Sequence, residues 1–386
     1  PRWRVMMLAR SFPSVSLAAA LVVACGGGTV DATPPGGGAT GGAVTGGTGP
    51  GAGGATVDDP NVPPAASCPA TVTPCAPTLL DEGVPGPGSF RVQDGYLYWR
   101  NIPATGIGTD RDPNSVLRLR LPDGDPEVIA DVGAGRVTTI VSDATHVYFG
   151  DSERGVGRVP LAGGAVEIVA AVPAYMVQID ATHVYFSEAA ATGVSIDRIP
   201  KAGGEVEAIA TAASRVLFAL DETHVYWILP ADGTNVLMRG PKAGGEAEVL
   251  SNLVPDKPER IAIFDDFVYV VVNVPRPTTG PRGLLERYPV AGGPLVELVS
   301  ADVPIGSFAV DAASFYFGTC PGVAGEATLQ KLSHDGSTSI AIAGGGVCYA
   351  GVTVDATRAY FADWGMEEYT ANGNGQVLAA DKCGCP

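Results

Sequence analysis

Four residues share one recurring place in this chain, three positions after a tyrosine: Asn101, Asp151, Glu188 and Asp363. Each carries a hard oxygen donor, and hard oxygens drawn from several segments are what Ca²⁺ requires. Elsewhere in the chain the same place holds Leu229, Val272 and Thr319. Three of the four histidines, His146, His183 and His224, also fall at one repeated position. Equivalent positions in a repeat are held apart, so a shared structural role is expected of them. His334 lies in Ser333-His334-Asp335-Gly336, and residues adjacent in sequence do not make a catalytic triad, which needs convergence from separate elements. No complete acid–base or nucleophile set can be assembled. A last group, Trp364, Glu367, Glu368 and Tyr369, mixes aromatic and acidic side chains in a way suited to a polar ligand or a protein surface.

The elements that must position these residues come from an internal repeat. Asp143-Ala144-Thr145-His146-Val147-Tyr148-Phe149 recurs as Asp180 to Phe186 and as Asp221-Glu222-Thr223-His224-Val225-Tyr226-Trp227, with weaker copies around Tyr98-Trp99, Tyr269-Val270, Tyr316-Phe317 and Tyr360-Phe361. The anchor tyrosines average about 44 residues apart, within the period range of β-propeller blades. In the second copy, Val137–Ser142 is rich in β-branched residues, Asp143 opens a turn, and His146–Gly150 and Arg158–Leu161 read as the next strands. Ala162-Gly163-Gly164 turns the chain into Val166–Ala170, and Ala202, Ala243 and Ala291 begin the same Gly-Gly turn in later copies. The expectation is an all-β chain forming a single β-propeller of seven four-stranded blades, because one such sheet cannot bury both of its faces alone.

The last repeat stops one strand short, whereas Thr78-Leu79-Leu80 lies where an extra strand precedes the first repeat. The N-terminal strand is therefore expected to close the last blade. Strand order places the regular Asp and Gly-Gly turns on one face of the ring. The variable connections, 101–115, 273–283 and 362–375, fall on the other, which is the candidate binding face.

Seven cysteines are present. Cys25 stands apart; Cys68, Cys75, Cys320, Cys348, Cys383 and Cys385 are an even set in an exported context and read as up to three disulfides. Cys320 and Cys348 lie in neighbouring loops and are expected to pair. Two of the three connectivities open to Cys68, Cys75, Cys383 and Cys385 bridge the chain ends. Metal binding by Cys383-Gly384-Cys385 is the alternative.

Residues 1–24 carry Arg10 in a basic start, an apolar run from Val15 to Val23, and a small residue, Ala24, before Cys25. The run is too short for a permanent span. Met6 or Met7 is the expected initiator. Residues 25–67 are dominated by Gly, Ala, Thr, Pro and Val and are expected to form a disordered tether, with a root-mean-square reach of about 35 Å for about 40 flexible residues. The propeller is then residues 68–386.

Two resemblances follow from these residues. The segment ending at Ala24-Cys25 resembles the bacterial lipoprotein signal, which implies cleavage before Cys25, lipidation there and, with Gly26 following, a place in the outer membrane of a Gram-negative envelope. An ordinary signal peptide with a chance cysteine is the alternative. Tyr148-Phe149-Gly150-Asp151, Tyr185-Phe186-Ser187-Glu188, Tyr360-Phe361-Ala362-Asp363 and Tyr98-Trp99-Arg100-Asn101 resemble degenerate YWTD repeats, in which the Asp serves hydrogen bonding between blades. The whole repeat resembles propeller lipoproteins common in myxobacteria. Receptor-type YWTD propellers have six blades, against seven repeats here.

The net charge of −17 becomes more negative by three once Arg2, Arg4 and Arg10 are removed with the leader. Such a surface repels phosphate backbones and disfavours nucleic acid. The functional expectation is a non-catalytic, envelope-anchored monomer that binds a protein, peptide or glycan through its variable face, touches membrane only through its lipid and needs no cofactor. The alternative is a Ca-dependent hydrolase or lactonase similar to the gluconolactonase type, using Asn101, Asp151, Glu188 and Asp363. A third reading is a purely structural envelope module.

Overall fold

The computed structural model describes residues 72–101, 114–133, 135–190, 193–212, 216–231, 234–252, 257–274, 282–321, 325–364 and 375–384. They form seven four-stranded antiparallel sheets. After β1 (Thr78–Val84), blade one holds β2 (Gly88–Gln93), β3 (Tyr96–Arg100), β4 (Ser115–Arg120) and β5 (Glu127–Asp131). Blade two holds β6 (Val137–Ser142), β7 (His146–Asp151), β8 (Gly155–Pro160) and β9 (Glu167–Ala170). Blade three has β10 (Ala174–Ile179), β11 (His183–Ala190), β12 (Gly193–Pro200) and β13 (Glu207–Ala212); blade four has β14 (Leu217–Leu220), β15 (His224–Ala231), β16 (Thr234–Pro241) and β17 (Glu248–Asn252). Blade five has β18 (Lys257–Phe264), β19 (Phe267–Val274), β20 (Arg282–Pro289) and β21 (Val296–Ala301); blade six has β22 (Ile305–Val310), β23 (Ser314–Thr319), β24 (Ala327–Ser333) and β25 (Ser339–Gly346). Blade seven is β26 (Tyr349–Val354), β27 (Arg358–Asp363) and β28 (Gly375–Asp381), completed by β1.

The aromatic couplet explains why this repeat closes into a ring. Consecutive side chains of a strand point to opposite faces, so the anchor tyrosine and the residue after it enter different seams. Tyr148 packs with Val177, Ile179 and Phe186 of blade three, whereas Phe149 packs with Tyr98, Val116 and Ile129 of blade one. Tyr185 and Trp227 meet in the next seam, and Tyr269 and Phe317 in another. Each of the seven buried clusters is one blade-to-blade seam, and together they close the circle. Full burial of one such ring contributes about 1.5–3 kcal/mol.

The first strand of each blade is innermost, in contact with the first strands of its neighbours. Six of these seven strands carry a register shift against their partner. A bulge re-aims a side chain, and here it turns one towards the next blade. Ser89 Oγ accepts from the Ile140 amide at 2.9 Å, Thr139 Oγ1 from Val177 at 2.9 Å, and Ser307 Oγ from Val352 at 2.9 Å. Met176 Sδ occupies the same place against the Phe218 amide at 3.5 Å. At the joint between blades seven and one this place is Gly351, with φ +64°, where an added Cβ would lie 2.7 Å from the Phe90 ring.

Closure follows the expected scheme. β1 pairs antiparallel with β28, Thr78 opposite Ala379 and Leu79 opposite Leu378. Just before it, the chain leans on blade six, where the Cys75 amide donates to Ile342 O at 3.1 Å and Cys75 forms a parallel bridge with Ala343. The expected disulfide between Cys320 and Cys348 is present, joining the end of β23 to the start of β26 across the same seam. Cys75 and Cys383 each take part in a disulfide as well; Cys25, Cys68 and Cys385 lie outside the described residues.

Candidate functional site

On the regular face the repeated Asp-x-Thr-His turns do local structural work. Asp143 Oδ1 accepts from the Thr145 amide at 2.8 Å, the Thr145 hydroxyl at 2.8 Å and the His146 amide at 3.0 Å. Thr145 Oγ1 lies 2.8 Å from His146 Nδ1, and Thr182–His183 and Thr223–His224 repeat the contact at 2.7 Å. The second carboxylate oxygen looks across the seam. Lys201 of blade three donates to Asp143 of blade two at 2.8 Å, and Lys242 of blade four to Asp180 of blade three at 3.2 Å. Burial pushes the Asp143 carboxyl up, but Lys201 and the Thr145 and His146 donors outweigh it and hold it well below the usual range. An arginine adds a second link: Arg158 Nε donates to Glu167 at 2.9 Å while its Nη1 donates to Lys201 O of the next blade at 2.7 Å. Arg198 does the same with Glu207 at 2.8 Å and Lys242 O at 2.6 Å. These residues are mortar rather than a site.

The four oxygen-bearing residues sit at the other end of the blades, where the variable connections begin. Asp363 accepts from the Val347 amide at 3.1 Å and the Cys348 amide at 3.0 Å. It thereby clamps the connector between blades six and seven. Asp151 is fully buried, and its Oδ1 accepts from the Glu153 and Arg154 amides at 2.8 and 3.0 Å. Asn101, 3% exposed, pairs in the ladder with Ser115. Glu188 is only half-buried and lies opposite Ser195, next to the buried Asp197. Ser195 Oγ donates to Asp197 Oδ2 at 2.5 Å, and burial raises the Asp197 carboxyl, with the Glu188 charge adding to the shift. Among the described residues, no three His, Cys, Asp or Glu side chains gather closely enough to hold a metal ion. Asn101 Oδ1, Asn114 Oδ1 and Asp151 Oδ2 are each buried with no hydrogen-bond donor. Asn114 and Asp151 flank the connector from Val132 to Arg136, through Asn114 Nδ2 to Gly133 O at 2.8 Å and through the close approach of Gly135 to the Asp151 carboxylate.

Trp364 is half-buried and turned inward. Its Nε1 donates to Pro87 O at 2.8 Å, and the ring packs on the cluster joining blades seven and one. Glu367, Glu368 and Tyr369 lie outside the described residues.

The sequence reading missed a cleft of about 430 Å³ between blades five and six. It runs from Ala301, Val303, Thr319 and Glu326 at the variable end to Gly336 and Ser339 at the regular end. One wall, from β21, is largely aliphatic, with Leu298, Val299 and Ala301 beside Ser300; the other, on blade six, sets a polar ladder beside Phe317 and Leu332. Thr328 N donates to Thr319 Oγ1 at 2.8 Å, Gln330 Nε2 to Thr328 Oγ1 at 2.9 Å, and Ser339 Oγ approaches Gln330 Oε1 at 3.4 Å. At the positions of the Thr319–Thr328 pair, blade four has Leu229 opposite Val236 and blade five Val272 opposite Leu284. Of these, Leu229, Val272 and Leu284 pack into their seams. Blades three and seven hold polar pairs at the same place, Glu188 opposite Ser195 and Asp363 opposite Gln376, and the place of Gln330 is Asp197 in blade three and Glu286 in blade five, so the repeat pattern alone does not mark this cleft.

No protein-family model matches the sequence, and no curated protein matches it. Solved structures do match by shape. A chain of the mitotic checkpoint complex superposes with a TM-score of 0.57 at 8% identity, covering 82% of this chain and 96% of that one. U3-55K gives 0.55 at 10% identity, covering 79% and 98%. A puromycin-hydrolysing peptidase of Mycobacterium tuberculosis gives 0.56 at 12% identity over 78% of this chain, which spans about half (53%) of the peptidase chain. At these identities the likeness is one of fold, the seven-bladed β-propeller, a scaffold on which both binding and catalytic sites can be built.

Proposed function

We propose that this propeller is a non-catalytic binding module, lipid-anchored through Cys25 in a bacterial outer membrane, that takes a protein, peptide or glycan ligand at its variable face. The observation that carries the reading is the cleft between blades five and six, whose blade-six wall carries Thr319, Thr328, Gln330 and Ser339. Hydrogen-bonded polar groups add little net stability over apolar ones of the same shape, so the buried Thr319 and the partly exposed Thr328 and Gln330 are better accounted for by a ligand. Both oxygens of Asp363 and one of Asp151 meanwhile accept from backbone amides, which weighs against their use in hydrolysis.

The test is a parallel screen of peptide and glycan libraries against the protein and a Thr328→Trp variant that fills the cleft. A ligand held by the parent and lost in the variant supports the reading. Ligands held equally by both, or none at all, overturn it. Anchoring is tested by metabolic palmitate labelling, expected in the parent and absent in Cys25→Ser.

A second reading, the Ca-dependent one, draws support from the three donor-free oxygens of Asn101, Asn114 and Asp151. A melting temperature that rises with Ca²⁺ and falls with EDTA, in the parent and not in Asp151→Asn, would favour it by ligand linkage.

A further inference from the structure

We propose that the cleft between blades five and six takes a short neutral oligosaccharide, lying with its carbon face on Leu298 and Val299 and its hydroxyls towards Thr319, Thr328, Gln330 and Ser339. This rests on the binding reading above and names its ligand class.

Four properties of the cleft point to this chemistry. Its volume, about 430 Å³, falls within the roughly 300–1,000 Å³ that holds small ligands. Its two walls differ in emphasis, largely aliphatic on blade five and, on blade six, hydrogen-bonding groups set beside Phe317 and Leu332. A pyranose has the matching division, with hydroxyls around its edge and C–H groups on its face. The polar groups are hydroxyls and one amide, each of which both donates and accepts. Gln330 uses one amide hydrogen on Thr328, which leaves it a second hydrogen and a second oxygen lone pair for a sugar hydroxyl. Finally, the lining residues include no cation, and Glu326 stands exposed at the mouth. In a chain of net charge −17, an acidic saccharide is repelled.

An extended peptide is the competing occupant, and the walls suit it less. Peptides that join a sheet do so through main-chain hydrogen bonds. On the blade-six wall those groups are already used, because β23 and β24 are each paired on both sides. What the cleft offers is side-chain hydroxyl and amide.

The experiment is titration calorimetry of the full chain with cellotriose, maltotriose, chitotriose and trigalacturonic acid, repeated with Gln330→Leu and Thr328→Val. At least one neutral trisaccharide is expected to bind at one site per chain, about tenfold more weakly in either variant, with trigalacturonic acid silent. Unchanged melting temperature and circular dichroism establish that the variants are folded; Thr328→Val, which keeps the side-chain shape, serves if Gln330→Leu is not. Binding that survives both variants overturns the placement, and equal binding of trigalacturonic acid overturns the neutral class. If no sugar binds while a screened peptide binds and is lost in Thr328→Trp, the ligand class fails and the binding reading stands. If nothing binds, both fail.

Discussion

Lys382, in the turn after the last strand of blade seven, donates to Asp311 in the first turn of blade six, with both side chains almost fully buried at 2% and 4% exposure. The same pairing recurs as Lys201 with Asp143, at 16% and 24% exposure, so one repeated contact samples two environments. Removing one partner of a buried pair strands the other charge, at about 3–5 kcal/mol; a more exposed pair contributes about 0–1 kcal/mol. Lys382→Met is therefore expected to lower the unfolding free energy several-fold more than Lys201→Met in urea denaturation. Equal losses would mean that the buried pair is not special.

The inner ring makes a second prediction. Ser307→Ala leaves the buried Val352 amide without its acceptor, at about 1–3 kcal/mol. Hydrogen exchange at Val352 should accelerate beyond what the global loss of stability explains.

Asp197 sets an unusual pH dependence. Its folded carboxyl is raised by burial above an unfolded value of about 3.9. Its contribution is thus fully present below that value and lost as pH rises through the folded one. The sign is opposite for Asp143, Asp180 and Asp311, which are lowered and contribute above about pH 4, losing that contribution as pH falls through their folded values. Asp197→Asn is expected to raise the melting temperature at pH 7 and to leave it unchanged near pH 3. A lower melting temperature at pH 7 would contradict the assignment.

Trp364→Ala separates structure from recognition. Because its ring closes the seam between blades seven and one, the variant should lose about 3 kcal/mol of stability while keeping the affinity of any ligand held between blades five and six. Loss of affinity in folded protein would return Trp364 to the binding face.

Much of the fold was legible because it is repeated. The Tyr148-Phe149 couplet and its copies carry the blade count, and the unmatched Thr78-Leu79-Leu80 carries the closure. The pairing of Cys320 with Cys348 was visible from the placement of their loops. What could not be read was anything that depends on which side chains cross a seam. Lys201, Lys242 and Lys382 look like ordinary turn lysines until the next blade is in place. Trp364 reads as a loop aromatic until Pro87, 277 residues away, is known to meet it. Thr319, Thr328 and Gln330 become one wall only once the register of β23 on β24 is fixed.

The joining of β1 to β28 also has a consequence in time. About 290 residues separate Val84 from Gly375, and at roughly 5–20 residues per second the ribosome needs on the order of 15–60 s to make them. Throughout that interval the first strand made waits without its partner while six blades can already assemble. The newborn chain is thus a ring with one place open, and its last step is the meeting of its two ends.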